Sequence, residues 1–199
     1  MSSIGLGHKA ALLEAFHAAV ALIPLNLRQG LILVGGTALL SLGGNRKTRD
    51  VDFAVTAPSL HAFFAAAAND SQFSKDDMDT WEYTSTSGII VPFEFLSQGG
   101  GFVPVIRAAK EIGSGGAMRA GTGELAVMKA RTWLGRDDDK DLEDFKFLLT
   151  TMDEAGEGFG DMVLLPGDGE EMGDAEALTT AGEDAGGRYE TLLQRMLQM

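Results

Sequence analysis

Leu31-Ile32-Leu33-Val34-Gly35-Gly36-Thr37-Ala38-Leu39, followed after a basic loop by Arg49-Asp50-Val51-Asp52-Phe53-Ala54-Val55, is the stretch of this sequence whose reading decides the fold. Its first four residues are a short continuous apolar run, the pattern of a buried strand. Gly35-Gly36 ends that run, and Thr37-Ala38-Leu39-Leu40 starts a short helix that Gly43-Gly44 closes. Val51, Phe53 and Val55 then alternate with Asp50, Asp52 and Ala54, which predicts a strand with one apolar face and one face carrying two carboxylates. Hard oxygen ligands of this kind suit Mg²⁺ or Mn²⁺, which keeps waters and takes further ligands from substrate phosphates. A Gly-Gly turn before a helix offers backbone N–H groups and a helix dipole to an anion, so a phosphate at Gly35-Gly36 can bridge to a metal on Asp50 and Asp52. Taken singly, an Asp-x-Asp is more often a solvated pair and a Gly-Gly an ordinary turn. The succession of the two is the specific signal.

Working outward, Leu12, Phe16, Ala19 and Ile23 recur at helical spacing over residues 8–23, until Pro24 stops the helix. Beyond the aspartates, Pro58 and the run from Leu60 to Ala68 predict another helix, closed by Asn69-Asp70-Ser71. Residues 80–84 and 88–96 read as two strands joined by Ser85-Thr86-Ser87, with Glu94 inside the second. Pro92 cannot donate to a ladder, so that second strand is expected near an edge or bulged, and Gly99-Gly100-Gly101 ends it. Helices are expected over 105–112, 122–134 and 139–152, the last begun by Asp137-Asp138-Asp139, which favour a helix N-terminus. After Asp153, Gly and acidic residues dominate through Gly187 with few aromatics. That composition predicts a flexible segment over 151–187, followed by a short amphipathic helix over 188–199 through Tyr189, Leu192, Leu193, Met196 and Leu197.

With 199 residues and 45% hydrophobic content, the chain can bury one substantial core, placed here in residues 1–150. The absence of cysteine excludes disulfides, thiolate metal sites and cysteine nucleophiles, so any metal needs oxygen or histidine ligands. The apolar stretches fall short of a membrane span and the N-terminus lacks a basic flank, which suggests a soluble, cytoplasmic protein. The net charge of -13 is unevenly spread: residues 1–150 carry 14 Lys+Arg against 17 Asp+Glu, and 151–199 carry 2 against 12. A nearly balanced body thus precedes an acidic tail, which can compete for the body's own basic cleft around Arg46, Lys47 and Arg49. Beyond that loop, neither an obvious RNA-binding patch nor an aromatic stacking platform stands out, which leaves tRNA, protein and small-molecule partners open.

Val34-Gly35-Gly36-Thr37-Ala38-Leu39 together with Arg46-x-Thr48-x-Asp50-Val51-Asp52-Phe53 resembles the motif of the DNA polymerase β-like nucleotidyltransferase superfamily. The form of both halves is most similar to the AbiEii-type toxin nucleotidyltransferases and related uncharacterised families. The resemblance is strong over residues 31–56, extends to 150 and is absent from the tail. It implies an α/β nucleotidyltransferase fold, a small mixed sheet flanked by helices with a helical C-terminal portion. It also implies Mg²⁺- or Mn²⁺-dependent transfer of a nucleotidyl group from an NTP to a hydroxyl or phosphate on RNA such as tRNA, protein or a small molecule. In it, Asp50 and Asp52 are metal ligands, and Gly35, Gly36, Thr37, Arg46, Thr48 and Arg49 belong to the nucleotide site.

The family's third carboxylate, on a later strand, maps to Glu94, which would complete the metal site or take the acceptor's proton. Aspartate is frequent there, so glutamate is a departure; by itself a strand glutamate faces solvent. The departure keeps open a second reading, a non-catalytic nucleotide-binding or interaction protein on the same fold. The family's helix lysine maps to Lys129 as a triphosphate ligand, while its spacing from Leu125 and Trp133 equally suits a lysine snorkelling from a core edge. Asp141 and Asp144 match the family's Asp-x-x-Asp element, and read alone are solvated or capping helix charges. His8, His17 and His61 are scattered over helices and receive no catalytic role.

Overall fold

The computed structural model describes residues 5–99, 103, 105–159 and 173–198, in two compact units, residues 1–120 and 121–199. The first unit is built on a seven-stranded mixed sheet. Its elements are α1 (Leu6–Leu22), a 3₁₀ turn (Leu25–Gly30), β1 (Leu31–Val34), α2 (Gly35–Ser41), β2 (Val51–Val55), α3 (Ala57–Ala67), β3 (Phe73–Lys75), β4 (Trp81–Thr84), β5 (Ile90–Ser97), β6 (Ala109–Glu111) and β7 (Met118–Ala120). The strand order is β3-β4-β5-β2-β1-β7-β6, with β5–β2 and β1–β7 parallel and the other neighbours antiparallel.

Register explains the alternation in β2. Val51 and Phe53 lie opposite Phe93 and Phe95 of β5, and Phe53 lies opposite Leu33 of β1, so these side chains share one face. Phe16 of α1 and Phe63 of α3 cover that face: Phe16 meets Phe53 at 5.9 Å between ring centroids, and Phe63 meets Phe95 at 5.0 Å and Phe93 at 5.8 Å. Phe16, Phe53 and Phe63 have no exposed surface, each contributing about 2–3 kcal/mol of burial. The opposite face of the same strands carries Asp52 and Glu94.

Two expectations are corrected. β5 is an interior strand; Pro92 is tolerated because it faces only β4, opposite Glu82, while pairing with β2 begins one residue later at Phe93 and Val51. The helix expected over 105–112 is replaced by extended chain and β6, because Gly113, Gly115 and Gly116 at φ 74°, 88° and 77° turn the chain back onto β7. Within the Gly-rich acidic stretch 151–187, Asp174–Ala185 is helical, with Ala177, Leu178 and Ala181 forming a buried stripe of small and apolar side chains. Residues 160–172 and the Gly100-Gly101 strand end lie outside the described residues.

The second unit is helical: α4 (Thr122–Arg136), α5 (Asp139–Ala155), α6 (Asp174–Ala185) and α7 (Arg188–Leu197). Asp138 caps α5, its side chain accepting from the Lys140 backbone N–H. Two acidic residues of the tail are neutralised inside this unit: Asp174 pairs with Arg131 at 2.6 Å, and Asp153 pairs with Arg195. Among the described residues, no helix is long and apolar enough to cross a membrane.

One polar tie fastens α1 to the sheet. The Glu14 carboxylate accepts hydrogen bonds from the Thr86 backbone N–H (2.8 Å), the Thr86 hydroxyl (3.0 Å) and the Tyr83 hydroxyl (3.0 Å). The Thr86 N–H chiefly holds this carboxyl below its ordinary value of 4.5; partial burial opposes the shift and the two hydroxyls reinforce it. A carboxyl whose folded pKa is lowered contributes stability that is fully present above its ordinary pKa and is lost as the pH falls through the folded value. Glu14→Gln is therefore expected to lose about 1 kcal/mol at neutral pH, screening by solvent included. Thermal melts at successive pH values should show the deficit fading below pH 4.5.

Candidate active site

Asp52 occupies the second position of β2 and sits directly opposite Glu94 across the parallel β2–β5 pair, so both carboxylates leave the same face of adjacent strands. Asp50 lies just before β2, two residues from Asp52 and on its side of the chain. Ligand-type oxygens of Asp50, Asp52 and Glu94 all lie within 4.8 Å of one another. Asp50 and Asp52 are half-buried and Glu94 is exposed. Three carboxylates with hard oxygen donors converging at that separation can hold a divalent cation, which would also offset their mutual repulsion.

Gly35 starts α2 at φ +62°, a backbone conformation that L side chains rarely adopt. A Cβ there would fall inside the van der Waals envelope of the Asp52 Oδ2, so the backbone of the Gly-Gly turn lies against a carboxylate of the cluster. A Cβ on Gly36 would come within 2.7 Å of Thr48 Cβ and Oγ1, so this glycine admits the loop that leads into Asp50. Both glycines are required by close approach.

The two threonines of the motif reach Asp50. Thr37, fully buried, donates its hydroxyl to the Asp50 backbone oxygen at 2.7 Å. Thr48 donates its hydroxyl to Asp50 Oδ1 at 2.8 Å. Their protons are thus directed at the aspartate, one holding its main chain and the other its carboxylate. Arg46, half-buried, and Arg49, exposed, lie on the same loop between α2 and β2. The loop also carries an interaction that sequence reading passed over: His8 Nε2 lies 3.2 Å from the Thr48 backbone oxygen, across 40 residues. Nothing local in the sequence signals that pairing.

Lys129, Asp141 and Asp144 belong to the helical unit, where they form their own cluster. The Lys129 ammonium lies 2.7 Å from Asp141 Oδ1 and 2.9 Å from Asp144 Oδ2, with the residues 8%, 4% and 7% exposed. A lysine snorkelling to water and aspartates solvated on a helix surface are therefore both ruled out. The i, i+3 spacing on α5 brings the two carboxylates to one ammonium on α4.

No family model matches the chain, and no curated protein matches it. Among solved structures, it is similar over its whole length and the whole of the other chain (100% of each) to an antigenic nucleotidyltransferase-like protein from Paracoccidioides brasiliensis, with a TM-score of 0.62 and 13% sequence identity. A mixed sheet flanked by helices, with an acidic cluster that can hold a metal at the β2–β5 junction, is thus set in a nucleotidyltransferase-like fold.

Proposed function

We propose that this chain is a metal-dependent nucleotidyltransferase that moves a nucleotidyl group from an NTP to a hydroxyl or phosphate of an acceptor, of the AbiEii-like kind its motif resembles. The observation that carries the reading is the convergence of Asp50, Asp52 and Glu94 within 4.8 Å beside a Gly-Gly turn packed on Asp52. The three carboxylates would hold Mg²⁺ or Mn²⁺, and an ion bound there neutralises triphosphate charge and favours the ionised acceptor. The backbone of Gly35-Gly36 and the side chains of Arg46 and Arg49 would hold phosphates. Glu94, the most exposed carboxylate of the cluster, would receive the acceptor's proton as its oxygen bonds to the α-phosphorus and the bond from that phosphorus to pyrophosphate breaks. Thr37 and Thr48, given their partners, would orient Asp50 and not contact the nucleotide directly.

The test is incubation of the protein with each labelled NTP, Mg²⁺ or Mn²⁺, and total RNA or cell extract, beside Asp52→Asn. Label is expected on one class of acceptor with the wild-type protein and to fall by a factor of about 10³ or more with the variant, since a metal ligand is lost. Equal labelling by both would refute the proposal. Glu94, where aspartate is frequent, supports the second reading, a nucleotide-binding protein without turnover. Calorimetric binding of Mg²⁺-NTP with no labelled acceptor in any extract would favour it.

A further inference from the structure

We infer that His8, in the first turn of α1, is a positioning residue for Asp50, acting through Thr48; the inference rests on the metal-site reading of the preceding subsection. Residues 44–49 between α2 and β2 have no regular structure, so the placement of Asp50 depends on discrete anchors. Two act on Asp50 itself, the Thr37 hydroxyl on its backbone oxygen and the Thr48 hydroxyl on Oδ1. The second works only if Thr48 is itself held. Gly36 receives the Thr48 side chain at close range, and His8 Nε2 meets the Thr48 backbone oxygen at 3.2 Å. A carbonyl oxygen only accepts, so Nε2 is the donor in this contact.

The chain of contacts runs His8 Nε2–H to Thr48 C=O, then Thr48 O–H to Asp50 Oδ1. It links the start of α1 to a metal ligand more than forty residues away. Core packing does not explain the histidine's position. Gly5, Leu6 and Gly7 are exposed, and the first buried residue of α1 is Ala11. His8 itself is half-buried on the side of the helix that meets the loop. Partners that touch a metal ligand tune affinity by holding it in its binding geometry, and His8 acts one step behind such a partner, Thr48.

Mn²⁺ titration followed by electron paramagnetic resonance tests this, with thermal melts alongside. Removing a partner that touches a ligand typically costs about 10–100-fold in metal affinity, and His8 stands one residue further out, so His8→Ala is expected to weaken Mn²⁺ binding about 3–10-fold. His8→Gln, whose amide nitrogen reaches the place of Nε2, is expected to restore most of the affinity. His8→Asn, whose amide reaches only the place of Nδ1, is not. In a Thr48→Val background His8→Ala is expected to add little, because the path to Asp50 is already cut. Wild-type affinity in His8→Ala would overturn the inference and leave the metal site standing. Absence of Mn²⁺ binding by the wild-type protein would instead overturn the metal-site reading and this inference with it. A loss in His8→Ala that tracks the melting temperature and is not rescued by glutamine would show a structural role only, and would also overturn it.

Discussion

Gly35→Ala is expected to abolish the proposed Mn²⁺ binding and nucleotidyl transfer together, while also lowering stability by about 2–3 kcal/mol, a larger effect than a methyl group usually has. Two physical costs coincide. The first is backbone strain: Gly35 sits at φ +62°, where an L side chain costs about 1–2 kcal/mol. The second is steric, because the new Cβ would collide with Oδ2, Cγ and Cβ of Asp52. Asp52 cannot yield easily, since Val51 and Phe53 on either side of it are fully buried and its β-ladder is fixed by both β1 and β5. Relief must therefore come from rotating the carboxylate away from Asp50 and Glu94 or from shifting the start of α2. Either movement disperses a cluster whose usefulness depends on oxygens lying within 4.8 Å of one another. Urea denaturation measures the first effect and Mn²⁺ titration the second; retained binding with only a stability loss would show that the turn does not shape the site. Gly43→Ala is a suitable comparison, since Gly43 also has a positive φ of 93° but a Cβ there meets nothing within 4 Å. It should show the strain cost without the loss of metal.

That contrast also shows what the sequence could and could not disclose. The β1–turn–α2 unit and the alternation of β2 are local patterns, written in consecutive residues, and the structure reproduces them as Leu31–Val34, Gly35–Ser41 and Val51–Val55. The pairing of Glu94 with Asp52 is different in kind. It depends on a parallel register between strands separated by α3 and the β3–β4 hairpin, and only the resemblance, not periodicity, singled out Glu94. The short strands β3, β6 and β7 are three residues each, too brief for period-two alternation to be visible. Val105, Ile106, Ala108 and Ile112 satisfy a helical spacing by chance, and the glycines that follow decide otherwise. In α6, averaging composition over a Gly- and acid-rich segment concealed a local stripe, Ala177, Leu178 and Ala181, that is enough to bury one helix face. The threonines were read as part of the nucleotide site from the motif, but their hydrogen bonds show a more specific position, on the main chain and the carboxylate of Asp50. A motif records which residues occur together; which of them touch one another is set by distant packing such as that of Gly36 on Thr48.

Lys129→Met is the other substitution expected to have a large effect, and it acts within the helical unit. The ammonium lies between Asp141 and Asp144 at 2.7 and 2.9 Å, in surroundings from which water is almost excluded. Methionine preserves most of the side-chain volume and the apolar stem but removes the positive charge that both carboxylates share. The aspartates stand at i, i+3 on α5, where like charges repel, and they would keep their desolvation cost while losing that attraction. Breaking a buried ion pair from one side costs about 3–5 kcal/mol, so the variant is expected to lose about 3 kcal/mol by urea denaturation. Replacing all three residues together, as Lys129→Met with Asp141→Leu and Asp144→Leu, is expected to recover most of the loss, because a buried ionic cluster and an apolar one of similar volume are often nearly equivalent. The same variants separate a structural lysine from one that binds a triphosphate. If charge balance is the role of Lys129, the triple variant regains stability and leaves the proposed Mg²⁺-NTP binding unchanged. If the ammonium contacts nucleotide, stability returns while NTP affinity stays reduced, since no rearrangement of apolar side chains can replace a cation beside a phosphate. A single Lys129→Met variant as stable as the wild type would refute the buried-cluster argument itself.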